Sequence, residues 1–192
     1  MLYRRHLLLG GLAGLSCPAL SLAEADPKAV SLLRRGGVVL AMRHALAPGT
    51  FDPPGFSLEQ CSSQRNLNDE GRAQARRIGQ RMKTLALTPA RVRSSPWCRC
   101  VDTAELAFGQ AERWTALGSP RGFNESTNDT PLGQLRQALT QAAGQPGRFE
   151  VWVTHMFVLS ALVGAGANVG EGLVLQTDGQ GQAKVLARVD FS

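Results

Sequence analysis

Val38-Val39-Leu40-Ala41-Met42-Arg43-His44 is the stretch on which the reading of this chain turns. Five apolar residues stop abruptly at a cation and an imidazole. A run this short, led in by Gly36-Gly37, reads as a fully buried strand. Its last two side chains then lie at the carboxyl edge of a sheet, where open α/β folds hold their ligands. A second run of the same design, Phe149 to Thr154, ends on His155. A third, Ala90 to Ser94, leads into Ser95-Pro96, which reads as the opening of a helix to about Phe108 with Arg99 in its first turn. Apart from His6 these are the chain's only histidines. Three adjacent parallel strands would bring two imidazoles and two guanidiniums to one edge, a coincidence that ordinary core usage of histidine does not produce.

The intervening segments supply helices. Asp26 to Arg35 is a short helical lead-in. Asn68 has the chemistry of a helix N-cap, with Asp69 and Glu70 in the first turn where the helix dipole favours acids. Gly71, Ala75, Ile78, Met82 and Leu85 then recur at steps of three and four and give one apolar face. Arg72, Arg76, Arg77, Arg81 and Lys83 lie off that face as a solvated charge run. That helix stops before Thr88-Pro89. Leu132, Leu135 and Leu139 mark another amphipathic helix, and Met156 to Val163 an apolar one. Gly172 to Gln176 and Ala183 to Val189 close the chain as strands around the turn Thr177-Asp178-Gly179-Gln180-Gly181. Strands alternating with helices predict an α/β protein, a three-layer α/β/α sandwich with a mostly parallel central sheet. Two segments lack periodicity, 45–66 and 115–130, and the first leaves directly from His44, so both are expected on the substrate side.

At 192 residues, 43% hydrophobic and 19% charged, the chain has the composition of one globular domain. A net charge of +6 favours anionic partners. The basic residues are nearly all Arg, dispersed, with aromatics at only 6%, which speaks against a nucleic-acid platform. The first 25 residues read as a signal peptide. Arg4-Arg5 form a positive start, Leu7 to Leu22 an apolar Gly-rich stretch, and Ala23-Glu24-Ala25 a cleavage site, with residues 26–192 as the single domain. The paired arginines resemble a twin-arginine export signal. Gly10, Gly11, Gly14 and Pro18 interrupt the apolar stretch, so no stable membrane anchor is expected. A periplasmic or secreted location changes the reading of the cysteines, because Cys17 leaves with the signal and an oxidising compartment favours a disulfide. Cysteines at i and i+2 of a helix point apart, so Cys61 is expected to pair with Cys98 or Cys100, against the alternative of buried free thiols.

Four blocks carry a resemblance to a known family. Met42-Arg43-His44, Leu67-Asn68-Asp69-Glu70-Gly71 with Gln74-Ala75, Ser94-Ser95-Pro96-Trp97-Cys98-Arg99 with Thr103-Ala104, and Val153-Thr154-His155 resemble the histidine phosphatase superfamily, which includes the phosphoglycerate-mutase-like branch. They stand in that family's order, between about Gly36 and Ser192. The resemblance implies that His44 is the nucleophile and that Arg43, Arg99 and His155 complete the phosphate pocket. It also implies a proton donor on the loop after the third strand: Glu125 is the first candidate, Asp129 the second, and Glu171 near the last hairpin a third. Asn66 and Gln64 are further candidate donors to phosphate. Three positions depart from the family pattern. Ala45 stands where glycine follows the nucleophile, Leu46 replaces a glutamate of many mutase-like members, and Thr154 precedes the second histidine.

The chemistry is coherent on its own terms. A neutral imidazole can attack phosphorus and split one hard displacement into two easier ones. Guanidiniums bind and neutralise phosphoryl oxygens. No metal or cofactor is implied. The expectation is an exported phosphatase that hydrolyses a small phosphorylated substrate through phospho-His44. The alternatives are a phosphotransferase or mutase, and a non-catalytic binder of phosphorylated envelope ligands.

Overall fold

The structure is a computed structural model that describes residues 26–119 and 129–192. The signal-peptide reading of residues 1–25, with Cys17, therefore lies outside the described residues, as does Glu125. The side chain of Asp129 lies outside them too.

β1 spans Val38–Arg43, as its apolar run demands. It lies at the centre of a six-stranded sheet of order β3-β2-β4-β1-β5-β6, with β2 Arg91–Ser94, β3 Glu112–Arg113, β4 Phe149–Thr154, β5 Glu171–Thr177 and β6 Ala183–Asp190. β1 and β2 both pair parallel with β4, and β3 pairs parallel with β2. β5 runs antiparallel to both β1 and β6. The sheet is thus mixed in its pairings, although β5 alone runs against the other five strands.

Side-chain alternation along β1 splits the core in two. Val38, Leu40 and Met42 face a cluster with α1 (Pro27–Arg35), α2 (Asp69–Thr84) and α3 (Cys98–Phe108). Val39 and Ala41 face a second cluster with α4 (Asp129–Ala143) and α5 (Met156–Val163). This is the expected three-layer sandwich. Each fully buried Val or Leu of β1 contributes on the order of 1.5–3 kcal/mol, which fixes the strand's register and so the position of its end. The lead-in needs Gly36, because its φ is +69° and a Cβ there would collide with the Arg148 backbone amide.

Two local expectations change. α3 starts at Cys98, not at Ser95-Pro96. Trp97 is extended, and the Ser95 hydroxyl is drawn to His155 and the Trp97 amide, which holds Ser95–Trp97 out of the helix. The two-residue β3 was not anticipated. It has no apolar pattern and is joined at its edge by the Arg91–Glu112 ion pair. Asn68 caps α2 as expected, its side chain accepting from the Gly71 amide at 2.8 Å. No helix among the described residues is long and apolar enough to cross a membrane.

Candidate active site

Register brings the site together. Arg43 pairs with Thr154 across β1 and β4, and Ser94 with Val153 across β2 and β4. The ladder continues one residue beyond the strands: the His44 amide donates to Thr154 O at 3.0 Å and the Ser95 amide to Val153 O at 2.9 Å. His44, Ser95 and His155 therefore leave three neighbouring strands at the same edge. The His44 and His155 rings meet edge to face, with centroids 5.5 Å apart.

His44 is fixed at every bonding group but one. Its carbonyl accepts from the Gly170 amide at 3.2 Å, and its Nδ1 lies 2.7 Å from the Ala45 carbonyl. A carbonyl can only accept, so Nδ1 carries the ring proton and Nε2 keeps its lone pair. Ala45 itself is fully buried and its amide donates to the Thr103 hydroxyl at 3.1 Å. That hydroxyl in turn donates to the Arg99 carbonyl at 2.7 Å. Among the described residues, Ala86 is the one non-glycine with positive φ, so Ala45 occupies the family's glycine position with an ordinary backbone.

Burial pushes the His44 imidazole down to about 3, and the charges of Arg99, Arg65 and Arg43 push the same way, against the Ala45 hydrogen bond, which raises it. His155 is held well below the ordinary histidine range for like reasons, burial first and then Arg99, His44, Arg65 and Arg43. Its Nε2 lies 2.8 Å from the Ser95 hydroxyl, while its Nδ1 faces Arg99 NH2 at 3.5 Å. Both imidazoles are thus neutral in a strongly positive surround. A phosphate dianion would offset that field at His155 and ease its protonation.

Arg99 is almost fully buried and meets Asp52 end on, NH1 to Oδ1 at 2.8 Å and NH2 to Oδ2 at 3.1 Å. Arg43 reaches the Ala167 carbonyl with NH1 at 3.3 Å and is pushed down by burial and by Arg99. Arg65 is pushed down to about 10, by burial first and then by Arg99, against the upward pull of Asp52. The Nε atoms of Arg43, Arg65 and Arg99 are all buried without a partner among the described residues. Three guanidiniums gathered around one neutral imidazole, each with an N–H to spare, form an anion site.

Arg43, His44, Arg99 and His155 are brought together as the sequence suggested. Asn66 is placed beside them with a different task. Its amide group donates to the Cys61 and Gln64 carbonyls at 2.6 and 3.2 Å, so the atom it has left is Oδ1, an acceptor unsuited to phosphate. Gln64 likewise spends its amide on the Ser57 and Leu58 carbonyls and accepts from the Cys98 amide at 3.0 Å, acting as a distant cap for α3. Glu171 bonds the Asn168 amide and pairs with Arg188 at 3.0 Å, which commits both of its oxygens. The disulfide joins Cys61 to Cys98, and Cys100 is a buried free thiol pushed up to about 12 by burial.

Sequence reasoning missed Asp52 and Arg65. Both sit on the aperiodic segment 45–66, and only the disulfide reveals where that segment goes. Once Cys61 is tied to Cys98, Arg65 must lie near the start of α3 and hence near Arg99. That inference was available from the cysteines.

A three-layer fold whose strand ends converge on a neutral imidazole with arginines nearby defines a class of protein suited to binding a phosphoryl group. The profile of the histidine phosphatase superfamily (branch 1) matches residues 41–127, which carries the likeness to that superfamily over this segment. Among solved structures it is similar to the protein histidine phosphatase SixA complexed with tungstate (19% identity, 80% of this chain and 97% of that one, TM-score 0.55). It is also similar to phosphoserine phosphatase from Entamoeba histolytica in complex with 3-phosphoglyceric acid (13%, 80% and 96%, 0.56). A third similar structure is the alpha-ribazole phosphatase from Shigella flexneri (13%, 81% and 96%, 0.57). At these identities the likeness is one of fold. A comparison with curated proteins finds no match.

Proposed function

We propose that this chain is an exported phosphatase that hydrolyses a small phosphomonoester through a phosphohistidine on His44. The observation that carries the reading is the His44 ring. Its proton is held at Nδ1 by the Ala45 carbonyl, which leaves the Nε2 lone pair free on a ring that feels the charges of Arg99, Arg65 and Arg43. In the first step Nε2 bonds to phosphorus and the ester P–O bond breaks. The leaving oxygen takes a proton from a carboxylic acid, for which Glu125 is the first choice and Asp129 the second: Glu171 is committed to Arg188 and Asn168, and Asp52 is held ionised. In the second step the same carboxylate takes a proton from water, the water oxygen bonds to phosphorus, and the P–N bond breaks to free phosphate. Arg43, Arg99 and His155 bind the phosphoryl oxygens throughout, and the guanidiniums supply the charge neutralisation without a metal. The Cys61–Cys98 disulfide supports export, as does the signal-like leader of residues 1–25.

The test is incubation of the mature chain with an aryl phosphate in the presence of a chelator. Hydrolysis and an acid-labile protein phosphate are expected, both abolished in His44→Ala. Glu125→Gln should lower turnover by 10²–10⁴-fold, as loss of a general acid does, while Glu171→Gln stays within a few fold. Turnover intact in His44→Ala refutes the mechanism. Transfer to an added alcohol in preference to water would mark a phosphotransferase, and tight phosphate binding without turnover a binder.

A further inference from the structure

Asp52 is the group that phosphate chemistry leaves unexplained. It is a carboxylate, its side chain 10% exposed, in a site otherwise built from cations. An anion there repels the anion the site is to bind. Yet it is firmly built in. Oδ1 accepts from the Arg65 amide at 2.9 Å and from Arg99 NH1 at 2.8 Å. Oδ2 accepts from the Trp97 indole at 3.1 Å and from Arg99 NH2 at 3.1 Å. Four bonds from three residues do not describe a swinging latch.

The donors of Arg99 show what those bonds accomplish. A guanidinium has five N–H groups. NH1 gives one to Asp52 and one to the Arg65 carbonyl at 3.3 Å. NH2 gives one to Asp52 and lies 3.5 Å from His155 Nδ1. Only Nε–H is without a partner among the described residues. A side chain with four free torsions is thereby reduced to one orientation before any ligand arrives, which is the preorganisation that phosphoryl transfer requires.

We infer that Asp52 is a positioning residue of the phosphate site, one that acts through Arg99: it fixes the guanidinium plane and offsets one of three positive charges. With both imidazoles neutral, Arg43, Arg65 and Arg99 against Asp52 leave a surplus of two charges, the complement of a phosphomonoester dianion. Asp52 is not the acid. Burial works to raise its carboxyl, but the hydrogen bonds from Arg99, Arg65 and Trp97 outweigh this and hold it below the usual range. The inference rests on the phosphatase reading of the same site.

A double-mutant cycle tests it, with kcat and KM for an aryl phosphate, inhibition by inorganic phosphate, and Tm for each variant. Asp52→Asn is expected to lower kcat about 100-fold, the cost of a misplaced group of this kind, while KM moves less than about fivefold. In an Arg99→Gln background the same change should cost less than about threefold, because the residue through which it acts is gone. Trp97→Phe removes one of the four bonds and serves where Asp52→Asn does not fold. It should lower kcat a few fold and lose that effect in Arg99→Gln. Wild-type kinetics in folded Asp52→Asn, or a loss that multiplies in full with Arg99→Gln, overturns the inference. Should the parent chain bind phosphate but turn over no ester, the phosphatase reading fails alone. Calorimetry with inorganic phosphate then decides the role of Asp52 by the same cycle.

Discussion

Lowering the pH should unfold this protein for a reason located in its site. His44 is buried with its pKa pushed down to about 3, whereas in the unfolded chain it titrates near the ordinary histidine value of about 6.5. Between those values the unfolded state binds a proton that the folded state refuses, so stability rises with pH and falls on acidification. The slope is about 1.4 kcal/mol per pH unit. From pH 7.5 to 4.5 the His44 contribution alone amounts to about 2.7 kcal/mol, and His155, shifted the same way, adds to it. Against a total stability of about 5–15 kcal/mol that is a large fraction. The assay is denaturant unfolding at half-unit steps of pH, on the wild type and on His44→Asn. Carboxylates contribute equally to both, so the difference isolates one imidazole. The variant should gain about 2.7 kcal/mol on the wild type between pH 7.5 and 4.5, whatever its offset at neutral pH. Parallel stability curves for the two proteins would show that His44 is protonated freely in the folded state, and the neutral-nucleophile argument would fall with it.

Two further outcomes follow from the packing. The Cys61–Cys98 disulfide closes a loop across 37 residues, so Cys61→Ser/Cys98→Ser should cost about 3–4 kcal/mol in Tm-monitored stability and also raise KM, since it anchors the segment 45–66 that carries Asp52 and Arg65; an unchanged KM in the double variant would refute that segment's role. Glycine-to-alanine changes in two helices should differ in sign: Gly133→Ala in α4 meets open space and should stabilise by about 0.5–1 kcal/mol, whereas in Gly79→Ala of α2 the new methyl meets the Ala107 backbone of α3 and should destabilise by about 1–3 kcal/mol, both read from urea midpoints.

What the sequence disclosed was set by local physics. β1 is an unbroken apolar run up to Arg43 and β4 is apolar apart from Glu150 and its closing Thr154, and such runs have no stable place except a buried sheet, so their ends and the residues beyond them, His44 and His155, were legible. α2 announced itself through Asn68 and its four-and-three spacing. The start of α3 was misplaced because Pro96 is suited to a first helical turn, and only the tertiary bond from the Ser95 hydroxyl to His155 holds that segment extended. β3 depends on an ion pair with Arg91, a contact that leaves no periodic trace. Asp52 escaped notice for the same kind of reason. Its partner Arg99 lies 47 positions away, and nothing in the composition of an aperiodic loop says which of its polar residues turns inward.

The two sources of the site divide its labour. Strand ends, fixed by burial, set where His44 and His155 stand, and the parallel ladder leaves them no alternative register without exposing a core face. The loop then brings Arg65 and Asp52 to Arg43 and Arg99, and charges in a buried site need an arrangement as well as a place. The charge of Arg99 pushes Arg43 and Arg65 down, and all three cations push both imidazoles down, so an unmoored cluster would spread toward solvent. Asp52 and the disulfide oppose that spreading from two sides, one by binding Arg99 and the Arg65 amide directly, the other by fastening the loop to the residue before Arg99. On the proposed reading, an oxidising compartment then bears on the chemistry as well as on stability: where Cys61 and Cys98 are reduced, His44 and Arg43 keep their places at the end of β1, while Arg65 loses one of the ties that hold it beside Arg99.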